Sequence, residues 1–207
     1  MMARNFDGDL RRARLVAILR LHHHDDVVAI AQTLVEAGVE FLEVTVERST
    51  GLRGLAEVVA AVGGQIHVGA GTVLRESDVT AVADAGATFV VMPDTNPAVI
   101  GVAKERGLFT LPGAFTPTEV ARAVEAGADY VKLFPASTGG IDHLRALRGP
   151  FPQVAFIPTG GVSSENANQW FAAGAVGVAM GTNLVPSSGS LEGLLERASA
   201  AVRATAL

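Results

Sequence analysis

The chain holds only two lysines, and one of them stands where solvation is poor. Lys104 lies in Lys104-Glu105-Arg106-Gly107 and reads as solvated. Lys132 lies in Asp129-Tyr130-Val131-Lys132-Leu133-Phe134-Pro135, an apolar run that reads as a buried strand. Burial disfavours the charged form of an amine, and a neutral amine is a nucleophile that forms a Schiff base with a carbonyl. An ordinary lysine is well under ~0.1% neutral at pH 7. A lysine tuned to about 7–8 is neutral a tenth of the time or more. Residue type and setting thus point to carbonyl chemistry. Glu43 offers a partner inside Phe41-Leu42-Glu43-Val44-Thr45-Val46, a second apolar run, because carboxylates are rarely buried unless paired. A neighbouring carboxylate favours the ammonium while burial favours the amine, so the two influences oppose each other. Glu43 is a candidate proton shuttle. The plain alternative for the pair is a structural ion pair.

Other groups suit an anionic substrate. Arg20 ends the run Leu15–Arg20, where a guanidinium can take a carboxylate in bidentate fashion or simply be solvated. Glycine-rich turns are expected after the third, seventh and eighth strands: Gly69-Ala70-Gly71-Thr72, Pro158-Thr159-Gly160-Gly161-Val162 and Gly181-Thr182-Asn183. Backbone amides in such turns bind phosphate, although tight βα turns need glycine anyway. Pro112-Gly113 and Phe134-Pro135 shape the mouth of the site. His22-His23-His24 invites a metal reading, but three consecutive side chains do not converge easily on one ion. They also precede Asp25-Asp26, which reads as a helix N-cap. His67 and His143 are isolated, so no metal is expected.

These residues need a scaffold, and the pattern supplies one. Strands are expected near Leu15–Arg20, Phe41–Val46, Ile66–Val68, Thr88–Val91, Leu108–Leu111, Tyr130–Phe134, Val154–Ile157 and Gly177–Met180. Helices follow near 26–37, 52–62, 76–85, 97–106, 117–126, 140–147, 164–173 and 190–205. This alternation argues for a parallel sheet, and eight units averaging roughly 24 residues suit a compact (β/α)8 TIM barrel. An alanine–glycine step recurs at Gly38, Gly86, Gly127 and Gly174, spaced 41 to 48 residues apart, each at a helix end where a left-handed glycine stops the helix. In a barrel the active groups sit at the carboxyl ends of the strands, and the loops after strands seven and eight form the usual phosphate site. By count Glu43 is on strand two and Lys132 on strand six. Inner layers draw on alternate strands, so the two can share a layer and meet across the barrel.

Composition narrows the classes. The length of 207 residues fits one domain, residues 1–207. A net charge of −5 gives no electrostatic footprint for nucleic acid or an anionic membrane. The absence of cysteine excludes disulfides, thiolate catalysis and cysteine-zinc sites. Met1 to Arg14 lacks the apolar core of a secretory signal, and no run of about 18 apolar residues is present, so a cytoplasmic location is expected.

Taken in order, these segments resemble the 2-keto-3-deoxy-6-phosphogluconate (KDPG) and 4-hydroxy-2-oxoglutarate (KHG) aldolase family of bacteria. The resemblance spans roughly residues 12 to 186. It is carried by Val16-Ala17-Ile18-Leu19-Arg20, Leu42-Glu43-Val44-Thr45, Gly69-Ala70-Gly71-Thr72-Val73-Leu74, Leu111-Pro112-Gly113, Lys132-Leu133-Phe134-Pro135-Ala136, Gly149-Pro150-Phe151-Pro152 and Pro158-Thr159-Gly160-Gly161-Val162. It implies a cofactor-free class I aldolase, a lyase built as a homotrimer of (β/α)8 barrels. It also implies a small phosphorylated keto acid as substrate, with Lys132 forming the Schiff base and Glu43 as acid and base. By the same resemblance Arg20 and Thr159 surround the pyruvyl carboxylate, Thr72 lines that cavity, and Gly160, Gly161 and Thr182 form the phosphate end beside Gly181. Pro112 and Phe134 belong to the mouth. Cleavage of KDPG to pyruvate and glyceraldehyde 3-phosphate is the implied reaction, as in the Entner–Doudoroff pathway. The 6-phosphogalactonate epimer and 4-hydroxy-2-oxoglutarate are alternative substrates. The sequence departs from the family pattern at Glu47-Arg48, where some members carry arginine four residues after the glutamate, and at Pro93-Asp94-Thr95. A metal-dependent aldolase, a phosphosugar isomerase on a similar barrel and a non-catalytic binder remain as different classes.

Overall fold

The computed structural model describes residues 5–20, 26–46, 50–186 and 190–206. Strand and helix alternate along them. The strands are β1 (Leu15–Leu19), β2 (Phe41–Thr45), β3 (His67–Gly71), β4 (Phe89–Val91), β5 (Phe109–Leu111), β6 (Gly113–Ala114), β7 (Val131–Leu133), β8 (Phe156–Pro158) and β9 (Val178–Met180). The helices are α1 (Phe6–Ala13), α2 (Val27–Glu36), α3 (Gly51–Val62), α4 (Glu76–Asp84), α5 (Pro97–Glu105), α6 (Pro117–Glu125), α7 (Ala136–Arg148), α8 (Ala167–Ala172) and α9 (Leu194–Thr205).

Every strand pairing is parallel. The strands form two curled sheets, one ordered β5-β4-β3-β2-β1-β9 and the other β6-β7-β8. The anticipated α/β alternation is therefore present, but not as one continuous eight-stranded ladder. Pro112 accounts for one seam. It has no N–H to give a ladder, so the strand expected at Leu108–Leu111 stops there and resumes as β6. At the other seam a parallel bridge between Thr159 and Ala179 joins the end of β8 to β9.

Local signals set the helix ends. Asn96 and Thr116 cap α5 and α6, each of which has proline in its first turn, and Glu119 completes a capping box with Thr116. Gly38, Gly86, Gly127 and Gly174 all take positive φ, between 80° and 97°, as the recurring alanine–glycine step predicts. The helix expected at 140–147 instead begins at Ala136 and is interrupted at Gly140, whose φ of 68° only glycine adopts readily.

Helix α1 has no counterpart among the expected elements, because its charged residues mask two apolar ones. Asn5 caps it, Asp7 and Asp9 sit in its first turn, and Arg11 and Arg12 sit in its last, which suits the helix dipole. Phe6 and Leu10, one turn apart, are buried. Phe6 stacks on Phe109 at 4.0 Å and meets Phe41 and Phe89 edge-on. Those three residues open β5, β2 and β4, so α1 plugs the amino ends of the strands. Inside, Val16, Ile18, Phe41, Phe89 and Ile157 join this plug in one apolar cluster, while Leu15, Ala17, Leu19, Leu42 and Val44 belong to the cluster under the helices. This is the period-two alternation of a sheet covered on both faces. Tyr130 donates to Asp7 Oδ1 at 2.5 Å. Burial and that bond push the Tyr130 phenol up, and the bonds from Tyr130 and Arg11 hold Asp7 below its ordinary value.

Candidate active site

The plug fills the amino end of the interior, so any chemistry must lie toward the carboxyl ends. Lys132 is the middle residue of β7. Its neighbours Val131 and Leu133 pack under the helices, which turns Lys132 inward, where it is 8% exposed. Its register neighbours are Gly113 on β6 and Ile157 on β8. Glu43 holds the matching position on β2, between Ile18 and Gly69, and is 3% exposed. These are the buried acid and the buried amine among the described residues.

Both line one cavity of about 160 Å³. At ~30 Å³ per water that is room for on the order of five waters, enough for a three-carbon keto acid. Arg20, Thr72, Phe134, Thr159, Gly160, Gly161, Gly181 and Thr182 line the same cavity. Lys132 Nζ lies 4.9 Å from the centroid of the Phe134 ring. Thr159 is buried, and its hydroxyl donates to the Ile157 carbonyl at 3.3 Å. Pro112 is the exception among the anticipated residues. It does not line the cavity, and its carbonyl accepts from the Lys132 amide at 2.9 Å. It fixes the height of the lysine on the sheet.

The glycines also need correction. Gly69 and Gly71 are not in a turn but inside β3. A Cβ on Gly69 would lie 2.5 Å from the Phe89 ring, and one on Gly71 would lie 2.7 Å from Glu43 Cδ and closer still to its Oε1. Gly71 is a notch that receives the Glu43 carboxyl group. Gly160 and Gly161 do form a turn, with φ of 94° and 79°. The Thr159 and Gly160 carbonyls accept from the Ala136 and Ser137 amides at 2.8 and 3.0 Å. This docks the turn on the start of α7, so a Cβ on Gly161 would sit 2.8 Å from Ser137 Cβ.

Ile18, Pro93, Val162, Ala179 and Asn183 complete the lining. Strand parity could have found Ile18, two residues before Arg20, and Ala179, two before Gly181. Val162 and Asn183 carry no such signal, because loop contacts bring them in. Asn183 donates to the Val162 carbonyl at 3.0 Å. At Pro93-Asp94-Thr95, Pro93 lines the cavity, and Thr95 donates to the Gly113 carbonyl at 2.8 Å, tying this loop to β6. His22-His23-His24 and Glu47-Arg48 lie outside the described residues. His67 interacts with Asp9 at 3.1 Å and stacks on Phe41, while His143 bonds the Phe115 carbonyl at 2.6 Å. Among the described residues no group of three or more histidine, aspartate or glutamate side chains is arranged to hold a metal. Nor is any helix among them long and apolar enough to cross a membrane.

A buried amine and a buried acid thus share one small cavity over the parallel strands of an α/β fold, an arrangement suited to Schiff-base chemistry on a carbonyl. A family model for KDPG and KHG aldolases matches residues 6–197, and the chain belongs to that family. It is 35% identical over 191 residues to the 2-dehydro-3-deoxy-6-phosphogalactonate aldolase of Escherichia coli K12, covering 92% of this chain and 93% of that one. It is likewise 35% identical to the 2-dehydro-3-deoxy-phosphogluconate aldolase of Treponema pallidum, covering 86% and 85%. Among solved structures, KDPG aldolase from Legionella pneumophila, captured with pyruvate as a covalent carbinolamine, superposes with a TM-score of 0.82 at 26% identity, covering 96% of this chain and 95% of that one.

Proposed function

We propose that this protein is a class I aldolase that cleaves KDPG to pyruvate and glyceraldehyde 3-phosphate through a Schiff base on Lys132. The observation that carries the proposal is the single small cavity shared by a lysine 8% exposed and a glutamate 3% exposed. In the reaction, neutral Lys132 Nζ adds to the C2 ketone to give a carbinolamine. Glu43 donates the proton with which the hydroxyl leaves as water, giving an iminium. Glu43, now a carboxylate, takes the proton of the C4 hydroxyl. The C3–C4 bonding pair then flows into the iminium, releasing the aldehyde and leaving an enamine. Protonation at C3 and addition of water return pyruvate and the free amine. The cationic iminium is the electron sink.

Arg20, Thr159 and Thr72 hold the carboxylate in this scheme, and Phe134 borders the mouth. Gly160, Gly161, Gly181 and Thr182 take the phosphate; support comes from the exposure of Gly161 and Thr182 at the outer end of the cavity. Pro158-Thr159-Gly160-Gly161 resembles the gluconate-type enzymes, while relatives acting on the two epimers stand at the same 35% identity, so both epimers belong in the assay. The same proposal includes a single domain over 1–207 and closure of the two sheets into an eight-stranded barrel. Closure is supported by the Thr159–Ala179 bridge and by the lone proline that separates β5 from β6. A homotrimer working in the cytoplasm on the Entner–Doudoroff route completes it.

The test uses the chain's two lysines. Incubation with pyruvate and borohydride, followed by digestion, is expected to add the reduced pyruvyl mass to the peptide bearing Lys132. Lys104 is the internal control; it is exposed and 2.6 Å from Asp129. An adduct confined to Lys104, or a Lys132→Ala protein that cleaves KDPG at the native rate, would overturn the mechanism.

A further inference from the structure

The cavity's outer end is held together from a distance by a residue that does not touch it. Arg197 stands in the first turn of α9, half-buried, and its Nε donates to the Leu184 carbonyl at 3.2 Å while Nη1 donates to the Glu192 carbonyl at 2.9 Å. The guanidinium therefore ties the near and far ends of the connection between β9 and α9 to the helix. Leu184 belongs to a tight turn, because its amide and that of Val185 both donate to the Gly181 carbonyl, at 2.8 and 2.9 Å. That turn presents Gly181, Thr182 and Asn183 to the cavity. Asn183 in turn reaches the Val162 carbonyl at 3.0 Å, coupling this turn to the loop of Gly160 and Gly161. The Gly181–Asn183 turn thus hangs on one side chain of α9, and through Asn183 it also braces the Gly160–Gly161 loop, which is docked independently on the start of α7.

Arg197 does this at a cost. Its Nη2 is buried without a hydrogen-bond partner among the described residues, and an unsatisfied buried donor is unfavourable. An unbranched apolar side chain would fill the same space without that cost, so packing alone does not account for an arginine here. We infer that Arg197 is a positioning residue for recognition of the substrate's phosphate, acting through the Gly181–Asn183 turn and, by way of Asn183, through the Gly160–Gly161 loop. The inference rests on the proposed phosphate-binding role of those loops. Misplacement of a binding group by about 1 Å can cost on the order of a hundredfold, which sets the scale.

The experiment compares KDPG with 4-hydroxy-2-oxoglutarate, which shares the pyruvyl half and lacks the phosphate, in wild type, Arg197→Met and Arg197→Lys. The readout is the ratio of the two kcat/KM values. The ratio cancels the concentration of folded enzyme, so partial misfolding does not blur it. In Arg197→Met the ratio is expected to fall tenfold to about a hundredfold, chiefly through KM for KDPG. Arg197→Lys, able to reach one carbonyl but not both, is expected to fall less. If both kcat/KM values drop in proportion and the ratio stands, Arg197 is only structural and the inference is overturned. If wild type shows no preference for KDPG, the phosphate role of the loops fails, whatever the variants do.

Discussion

Gly71→Ala tests the geometry of the buried acid without changing any ionisable group. The added Cβ would fall 2.7 Å from Glu43 Cδ, whereas ordinary contact begins near 3.4 Å. The carboxyl group must therefore retreat by at least about 0.7 Å, and further on the side of its Oε1. Proton transfer from a positioned side chain contributes about 10²–10⁴ in rate, and an error near 1 Å can cost about 10². The expected loss in kcat is therefore about a hundredfold or more, ~2.7 kcal/mol at 1.36 kcal/mol per tenfold. Release of pyruvate from KDPG, followed by a coupled dehydrogenase and normalised to folded protein by circular dichroism, measures it. Glu43→Gln should lose at least as much, and the double variant should be no slower than Glu43→Gln alone, because both changes remove one function. A Gly71→Ala enzyme within about threefold of wild type, or losses that multiply in the double variant, would refute the idea that the notch positions the acid.

Two further outcomes concern stability. Phe6→Ala empties the plug at the amino ends, where Phe6 is 3% exposed and stacked on Phe109; equilibrium urea unfolding should show a loss of about 3–5 kcal/mol, and a loss under about 1 kcal/mol would mean that α1 is not part of the cooperative core. Glu119 accepts from the Thr116 and Phe115 amides, and these bonds hold its carboxyl below the ordinary 4.5. Its contribution is complete above that value and is lost as pH falls through the lowered one. Glu119→Gln should therefore cost about 1 kcal/mol at neutral pH, with a gap from wild type that closes in acid; a gap independent of pH in the same unfolding assay would contradict the charge-based account.

The parts of this protein that are written locally could be read from the chain. Alternating apolar runs fix strands and helices, and glycine marks the returns at Gly38, Gly86, Gly127 and Gly174, because each depends on a few neighbouring residues. Lys132 and Glu43 were legible for the same reason: a charge in an apolar strand is an anomaly that needs no knowledge of the partner. What folding alone decided depends on contacts between distant segments. The plug by Phe6 was hidden because only the first residues of β2, β4 and β5 make sense of it. Gly71 looked like turn chemistry until the Glu43 carboxyl group was found occupying its missing side chain. Pro112 carries no local sign that its carbonyl bonds the Lys132 amide on the neighbouring strand. The clamp by Arg197 ties α9 to both ends of the connection that precedes it, and no spacing along the chain encodes a hydrogen bond whose geometry exists only after the sheets have curled.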